Sequence, residues 1–260
     1  MPDIADVGLV ASIINELGAR AYRVGEHTFF FDSRNLRFSN IHKQYGEQSR
    51  ASTLFIPVLL AKFGHAAVPL PGGDQIGKRP LERHMNGLEM MGVNFSQQNG
   101  LLEANCKELR GCTYRFEKNT HTGTETLIMA EVLPKGKTIL ENAAEEPEID
   151  DLIAFLNQMG AKVRRRSFRK IEIEGVEKLG GAIYKIMPDR NEAVSYACAA
   201  IATRGDIVVE NARHRDLGAF LDKLDELGAA YEIGDYGIRF YYKGPLSATD
   251  VETEIHPGFM

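Results

Sequence analysis

The sequence has 260 residues, of which 43% are hydrophobic and 26% charged, with a formal net charge of -5 at neutral pH. This balance is typical of a globular protein that buries a core of its own. The sequence shows no apolar run as long as a membrane span, and the acidic start at Asp3 does not resemble a signal peptide, so no membrane partner is expected. The cysteines are scattered without metal-ligand spacing, which predicts a reducing cytoplasm and no bound metal.

The charge balance also argues against a nucleic-acid partner, because no basic surplus is present to neutralise phosphates. The one basic cluster lies between residues 162 and 170 and includes Arg164, Arg165 and Arg166. We interpret this cluster as a solvated turn between two strands rather than as a binding patch.

A short sequence motif that ends a helix recurs along the chain at intervals of about 70 residues. Each copy closes a stretch of helical periodicity with a glycine, and this glycine is expected to adopt the left-handed conformation that ends a helix. These glycines are Gly18, Gly92, Gly160 and Gly228. A short run typical of a strand follows them, as at 161–163 and 229–233.

A second sequence motif alternates with the first and places a glycine between an apolar helix and a strand. The glycines are Gly64, Gly136 and Gly205, and the predicted strands are 65–70, 137–141 and 206–210. Each repeat therefore contains helices and strands, and a unit of this kind needs neighbours to cover its helices. The pattern predicts an α+β fold built from βαβ-like modules.

The segment 70–80 carries three glycines and two prolines around one acid and two bases, directly after an apolar run. Its start at Pro71-Gly72-Gly73 forces the backbone to turn at the end of a strand. Asp74 and Arg79 on such a loop can place a proton donor beside an anion clamp. A plain solvated turn is the alternative interpretation.

Several long motifs of the chain resemble those of the UDP-N-acetylglucosamine enolpyruvyl transferases (1-carboxyvinyltransferases). They are 70–80, 82–89, 141–151, 188–192 and 256–259. The resemblance covers essentially the whole chain in the right order. It implies βαβαββ repeats that form an inside-out α/β barrel (α/β prism), with helices inside and sheets outside. It also implies a first domain at 1–186 and an incomplete second domain at 187–260.

The chemistry implied by the resemblance moves the enolpyruvyl group of phosphoenolpyruvate to the 3-hydroxyl of UDP-N-acetylglucosamine and releases phosphate. No metal or cofactor takes part in that reaction. It is the first committed step of peptidoglycan synthesis, and so belongs to cell wall biogenesis, cell shape and cell division in the cytoplasm. The expected partners are therefore small-molecule substrates.

The residue at the catalytic position of the family departs from the common pattern. Many members carry a cysteine where this chain has Asp74, and a minority carry aspartate. The resemblance assigns Asp74 the role of proton donor to the methylene carbon of phosphoenolpyruvate. Because a free aspartate is ionised at neutral pH, burial must raise its pKa for that role. Epoxide antibiotics that alkylate the cysteine are expected to find no thiol here.

Fixed cations and amides are expected to hold the anionic substrates. Arg50 and Arg79 match arginines of the family, and a planar guanidinium suits phosphate or carboxylate better than an ammonium does. The family's segment for the UDP diphosphate carries over to Lys118, Asn119, Thr120, His121 and Thr122. These residues open a helix, where unpaired amides and the dipole favour an anion. Plain N-capping by a threonine is the alternative, and His121 stands where a small apolar residue is expected.

The segment that packs on the uracil ring in the family matches Arg79 and the five residues that follow it. They are Pro80, Leu81, Glu82, Arg83 and His84. Members of the family often have an aspartate at position 82 and an apolar residue at position 83. Apart from the motif, a histidine in this place is an ordinary helix-surface residue. Further along, Asp189, Arg190 and Glu192 are expected to begin a helix near the domain crossing.

The resemblance implies that the family pattern extends beyond both ends of this sequence. One hypothesis is that the chain is a segment of a true transferase, with a complementary segment of the same enzyme as its partner. The alternative is a non-catalytic UDP-sugar binding module or a remnant, with slow turnover or none. The sister enzyme that uses shikimate 3-phosphate is a third, weaker interpretation. Strand edges that are left without neighbours predict poor solubility.

Overall fold

The computed structural model describes residues 1–46, 48–70 and 81–259. The α-helices are α1 Ala5–Glu16, α2 Lys43–Gly46, α3 Phe55–Phe63, α4 Glu82–Met90, α5 His121–Glu131, α6 Pro147–Gln158, α7 Arg190–Ala202 and α8 Gly218–Leu227. Short 3-10 helices lie at Arg50–Leu54 and His214–Asp216.

The strands alternate with these helices. They are β1 Arg20–Gly25, β2 Thr28–Asp32, β3 His65–Pro69, β4 Asn94–Gln98, β5 Leu101–Asn105, β6 Thr113–Arg115, β7 Lys137–Glu141, β8 Lys162–Ser167, β9 Lys170–Glu174, β10 Asp206–Glu210, β11 Ala230–Gly234 and β12 Gly237–Tyr241. The α+β class predicted from the repeats is confirmed.

The chain divides into two compact units. The first comprises Met1–Ala144 and Leu152–Tyr184, and the second comprises Glu145–Asp151 and Lys185–Met260. The predicted domain boundary after residue 186 stays a prediction.

The sheets of the first unit repeat one topology. The strand orders are β1-β2, β3-β5-β4 and β6-β7-β9-β8. In the second sheet, β3 pairs antiparallel with β5, the last strand of the hairpin that follows it, and Val68 lies opposite Leu102. In the third sheet, β7 pairs in the same way with β9, and Leu140 lies opposite Ile171. Strand β6 is the exception, since it runs parallel to β7. These sheets cover a core in which α5 packs against both α3 and α4.

The second unit contains one more copy of the same arrangement, with the strand order β10-β12-β11. Its core is formed by α7, α8 and β12, where Phe220 and Phe240 lie 6.3 Å apart between ring centroids. Phe259, from the motif at 256–259, packs against the same core. The second unit thus buries one face of its helices against its own sheet.

The helix-ending glycines behave as predicted. Their φ angles are +93° at Gly18, +99° at Gly92, +100° at Gly160 and +75° at Gly228. All lie in the left-handed region that residues with a Cβ rarely adopt, so each glycine allows the chain to leave a helix and enter a strand. Strands β7 and β10 begin and end where the glycine pattern predicts.

The turn predicted for the basic cluster is present at Arg169, but the prediction is wrong for the arginine run. Arg164, Arg165 and Arg166 lie on β8, and the turn of this hairpin is at residues 168 and 169. The bases are accommodated on the strand because β9 supplies acids opposite them. Arg166 pairs with Glu172, and Lys162 Nζ lies 2.7 Å from Glu174 Oε1.

Candidate active site

The start of α5 is organised by Thr120. Its hydroxyl accepts a hydrogen bond from the Gly123 amide at 3.3 Å, which makes it the N-cap of the helix. The capping alternative considered for this segment is therefore realised at Thr120. The amides of His121 and Thr122 make no hydrogen bond with any described residue. They are the donors that a ligand at this helix start would find.

Thr124, one turn into α5, fixes the helix start against the loop that follows β7. Its hydroxyl donates to the Thr120 carbonyl at 2.7 Å and accepts from the Ala144 amide at 3.0 Å. Sequence reasoning did not select Thr124. The threonines at the helix start could have pointed to Thr124, because only some of them can face a ligand and the others must pack against the protein.

Asn119 strengthens the same connection. Its side-chain amide donates to the carbonyls of Asn142 and Ala143, at 3.2 and 2.9 Å. Asn142 itself has a φ of +54° and donates from its side chain to the Phe116 carbonyl at 2.9 Å. The Asn119 amide group is thus used to position the loop, whereas the neighbouring Lys118 is exposed.

Helix α4 reaches α5 through two of the predicted residues. His84 Nε2 lies 2.9 Å from Thr122 Oγ1, and a guanidinium nitrogen of Arg83 lies 3.5 Å from the Asn119 carbonyl oxygen. The carbonyl of Leu81 accepts the amides of His84 and Met85, which begins the helix. Glu82 is in the exposed first turn. The structure therefore brings residues 83 and 84 to the start of α5.

His84 is buried, with 7% of its surface exposed, and is not the helix-surface histidine of the alternative interpretation. Burial lowers the pKa of His84 to about 4, and the nearby Arg50 guanidinium acts in the same direction. The Leu81 carbonyl opposes this effect and Arg83 adds a smaller lowering. At neutral pH His84 is uncharged, and it holds Thr122 through a neutral hydrogen bond.

Arg50 begins the 3-10 helix that leads into α3, rather than the α-helix itself. The preceding Ser49 caps this helix by accepting the Ala51 amide at 3.2 Å, and it donates to Asp6 Oδ1 at 2.6 Å. The 3-10 helix packs against α5. Arg50 is thereby held close enough to His84 to influence its proton, although the two residues are far apart in sequence.

His121 is the first residue of α5 and is half-buried. Its Nε2 lies 3.6 Å from Glu125 Oε1, one turn further along the helix. This nitrogen is shielded from solvent and makes no hydrogen bond with any described residue. Asp74, Arg79 and Pro80 lie outside the described residues.

The second unit contains the other predicted positions. Asp189 is the N-cap of α7 and accepts the amides of Asn191 and Glu192 at 2.8 and 3.3 Å, so the predicted helix start is confirmed. Arg190 Nε donates to Glu148 Oε1 at 2.9 Å. Burial and Arg190 lower the pKa of His256, against the opposing effect of glutamates 145, 146 and 148.

Within the described residues, no three His, Cys, Asp or Glu side chains are placed to hold a metal ion. Two open cavities of about 350 and 610 Å³ occur in the first unit, and neither is lined by the predicted site residues. The larger lies at the ends of α3 and α5 opposite to the predicted site, beside Gly64 and Lys135. Among the described residues, the candidate site consists of the start of α5 and the side chains that α4 brings to it.

The sequence profile of the family described as EPSP synthase (3-phosphoshikimate 1-carboxyvinyltransferase) matches residues 1–260. The chain belongs to this family of carboxyvinyl-transferring enzymes, as the fold and the motifs predict. Among the described residues, no helix is long and apolar enough to cross a membrane.

Curated relatives share substantial sequence identity with the whole chain. A UDP-N-acetylglucosamine 1-carboxyvinyltransferase of Acidobacterium capsulatum is 39% identical, and one of Pseudoalteromonas atlantica is 41% identical. Each alignment covers 100% of this chain but only 60% and 62% of the respective relative. The chain therefore spans about three fifths of the length of these relatives.

Solved structures show the same fold at lower sequence identity. The enolpyruvyl transferase NikO from Streptomyces tendae superposes with a TM-score of 0.87 at 20% identity, over 100% of this chain and 62% of that one. An EPSP synthase from Acinetobacter baumannii gives a TM-score of 0.69, also at 20% identity, over 92% of this chain and 57% of that one. At these identities the likeness establishes the fold alone.

Proposed function

We propose that this chain carries the nucleotide-sugar-binding part of a UDP-N-acetylglucosamine 1-carboxyvinyltransferase of peptidoglycan synthesis. The observation that carries the proposal is the start of α5, where two amides that bond to no described residue lie beside the His84–Thr122 contact and near Arg83. A diphosphate suits such a helix start, because the amides and the dipole both favour negative charge. The names of the relatives at 39 and 41% identity support the same substrate.

The proposed roles follow the order of the reaction. Lys118 and the amides at 121 and 122 hold the diphosphate, and residues 80–84 contact the uracil ring. Arg50 and Arg79 bind the anionic groups of phosphoenolpyruvate. The sugar 3-hydroxyl gives up its proton as its oxygen bonds to the central carbon of phosphoenolpyruvate, and Asp74 gives its proton to the methylene carbon, which becomes a methyl group. This methyl group then returns a proton to Asp74 as the double bond reforms and the bond to phosphate breaks, so that phosphate leaves with the proton lost by the hydroxyl.

Asn119 enters this proposal as a brace of the diphosphate segment rather than as a direct ligand, because its amide already donates to two carbonyls. The cytoplasm is the proposed compartment, since both substrates are cytoplasmic metabolites in the family's chemistry. Phosphoenolpyruvate and UDP-N-acetylglucosamine are the proposed partners, and a second segment of the same enzyme is proposed to complete the cleft.

A second candidate is transfer to shikimate 3-phosphate, which the description of the matching family favours. Isothermal titration of the full chain with each ligand separates the two. We expect UDP-N-acetylglucosamine to bind and shikimate 3-phosphate not to bind. Preferential binding of shikimate 3-phosphate, or no binding of the nucleotide sugar at about 1 mM, would contradict the proposal.

Two matched variants locate the site. Lys118→Ala is expected to weaken the binding of UDP-N-acetylglucosamine by about tenfold, because it removes a charge-assisted contact to phosphate. Lys178→Ala changes an exposed lysine elsewhere in the first unit and serves as the control. Phosphate release from phosphoenolpyruvate plus nucleotide sugar then distinguishes an active transferase from a binding module, because a module binds the sugar but releases no phosphate.

A further inference from the structure

The larger cavity of the first unit carries positive charge that no described residue neutralises. Its volume is about 610 Å³, and it lies between the ends of α3 and α5 and the loop that follows β5. Each of these three segments contributes one lysine to the lining, namely Lys62, Lys107 and Lys135. All three lysines are exposed, and none forms an ion pair with a described residue. Their ammonium groups are therefore available to a ligand.

The helix dipoles account for one of these lysines only. Lys62 lies in the last turn of α3, where a cation is favoured by the partial negative charge of the helix end. Lys107 and Lys135 lie in loops and are not part of a helix. Glu108 is the one acidic residue among those that line the cavity. The cavity thus has an excess of positive side chains in a chain whose formal net charge is -5.

The loop after β5 adds backbone donors beside the same cavity. The amides of Lys107, Glu108 and Leu109 make no hydrogen bond with any described residue, whereas the preceding Cys106 amide donates to the Gly64 carbonyl at 2.8 Å. A Cβ at position 64 would lie 2.7 Å from the Cys106 carbonyl oxygen, so glycine lets this loop approach the end of α3. Consecutive amides next to ammonium groups suit the oxygens of a phosphate.

Two apolar side chains complete the lining. Phe63 and Leu133, at the ends of α3 and α5, keep 36% and 37% of their surface exposed. Sites for small molecules commonly combine apolar side chains with a few charged groups in a volume of about 300–1,000 Å³. Exposed apolar surface next to three ammonium groups favours a ligand that has both a flat ring and phosphate groups.

We propose that this cavity binds a nucleoside phosphate. Its phosphate groups contact the three lysines and the amides of residues 107–109, and its base lies on Phe63 and Leu133. The cavity is separate from the candidate active site, because α5 has 11 residues and its two ends are therefore about 15 Å apart. This second site does not depend on the proposed function.

Isothermal titration of the full chain with ADP tests the proposal, because ADP carries a different base from the nucleotide sugar. We expect ADP to bind with a dissociation constant below about 1 mM and adenosine not to bind in that range, since it has no phosphate. Pyrophosphate should bind more weakly than ADP, because it has no base to cover the apolar side chains. The affinity for ADP should fall as salt is added, since the lysines are exposed.

Variants of the lysines locate the bound ADP. Lys107→Gln and Lys135→Gln should each weaken ADP binding by about tenfold, because each removes a charge-assisted contact to phosphate. Lys107→Arg keeps the charge and should bind ADP as the wild type does. Lys178→Ala changes an exposed lysine outside the cavity and serves as the control. Lys118→Ala, in the candidate active site, should leave ADP binding unchanged.

The results for the two sites are separable. If ADP does not bind at about 1 mM, or if Lys118→Ala weakens it while both glutamine variants do not, the second site is overturned and the proposed function stands. If ADP binds as expected but UDP-N-acetylglucosamine does not bind, the proposed function is contradicted and the second site stands. Two glutamine variants are used so that misfolding of one, detected by circular dichroism, does not prevent the comparison.

Discussion

At the scale of single residues, His84 links the chemistry of the site to the stability of the first unit. The ring is buried, bonded to Thr122 and uncharged at neutral pH, with a pKa of about 4 in the folded protein. In the unfolded chain the same ring takes up a proton near its ordinary value of 6.5. Between these two values the unfolded state binds more protons than the folded state.

The free energy of unfolding is therefore expected to fall as the pH is lowered from 6.5 towards 4. The full effect is on the order of 3 kcal/mol, because each pKa unit corresponds to about 1.4 kcal/mol. Urea unfolding of the wild type and of His84→Gln, followed at several pH values, measures this slope. A glutamine side chain takes up no proton in this range, so the variant should lose much of the slope. Equal slopes for the two proteins would show that another group is responsible.

Asp74 gives a second prediction at this scale, from the sequence alone. A carboxylate is a much poorer nucleophile than a thiolate towards an epoxide, so fosfomycin is expected to leave the chain unlabelled. Intact-mass spectrometry after incubation checks this, and Asp74→Cys provides the positive control because it restores the thiol. Covalent addition at Asp74 in the wild type would refute the prediction.

Residue-level prediction from the sequence succeeded where a local rule decides the outcome. Thr120 and Asp189 cap helices because their side chains reach amides two or three positions ahead. The burial of His84 was not predictable, because it depends on α5 crossing α4, a contact between residues far apart in the chain. The influence of Arg50 on His84 has the same origin.

At the scale of secondary-structure elements, the contact between α4 and α5 depends on Gly87. A Cβ at this position would lie 2.4 Å from Leu127 Cδ1, and Leu127 is fully buried. Gly87→Ala is expected to destabilise the protein by about 1–3 kcal/mol, because the helices must separate or Leu127 must leave its rotamer. The same displacement should weaken the His84–Thr122 hydrogen bond.

Gly8→Ala is the matched control for that change. Gly8 lies on the exposed side of α1, and a Cβ there would meet no atom within 4 Å. Alanine is the better helix former, so this variant should be stabilised by about 0.5–1 kcal/mol. Thermal unfolding of both variants gives the comparison. A neutral Gly87→Ala would mean that the two helices have room to adjust.

The end of α5 depends on a buried carboxyl group. Thr138 on β7 donates to Glu131 Oε2 at 2.6 Å and accepts the Cys112 amide at 3.1 Å. The other oxygen, Oε1, has no hydrogen-bond partner among the described residues. Burial raises the pKa of Glu131, with the Thr138 hydrogen bond opposing this. Burial, and then Glu131, raise the pKa of the Cys112 thiol to about 11.

Because the folded-state pKa of Glu131 lies above the unfolded one, the stability it contributes is present at low pH and is lost as the pH rises above about 4.5. Glu131→Gln should remove this loss and be more stable than the wild type at alkaline pH. Thr138→Val should cost about 1–3 kcal/mol at all pH values, since it leaves the Cys112 amide without a partner. Denaturant unfolding across the pH range checks both. An unchanged pH profile in Glu131→Gln would contradict the assignment.

The elements themselves were largely predictable. Strands β7 and β10 were found at their observed bounds, because a glycine immediately precedes each of them. The turn expected over Arg164–Arg166 was wrong. A run of basic residues suggests a solvent-exposed turn, but here the acidic residues that pair with these bases lie on the next strand. Cross-strand charge pairs of this kind depend on register, which the residues of one strand do not specify.

At the scale of the whole molecule, the repeat shows where a strand edge is left open. Strands β3, β7 and β10 each pair antiparallel with the last strand of the following hairpin. Strand β2 is the corresponding last strand of its hairpin, and among the described residues its second edge has no strand partner. Aromatic side chains are exposed on this hairpin, including Tyr22 at 50% and Phe30 at 44%. An open edge with exposed aromatics favours association with other chains.

Phe30→Lys is therefore expected to reduce concentration-dependent association of the isolated chain. Phe30 lies directly opposite Tyr22, with ring centroids 5.2 Å apart, so the change removes the pair's apolar surface and places a charge on the edge strand. Tyr236→Lys is the control. This tyrosine is 84% exposed, but it lies in the turn between β11 and β12, and β12 is the middle strand of a three-stranded sheet. Sedimentation velocity over a range of concentrations measures the effect. If both variants associate as the wild type does, the β2 edge is not the surface that brings the chains together.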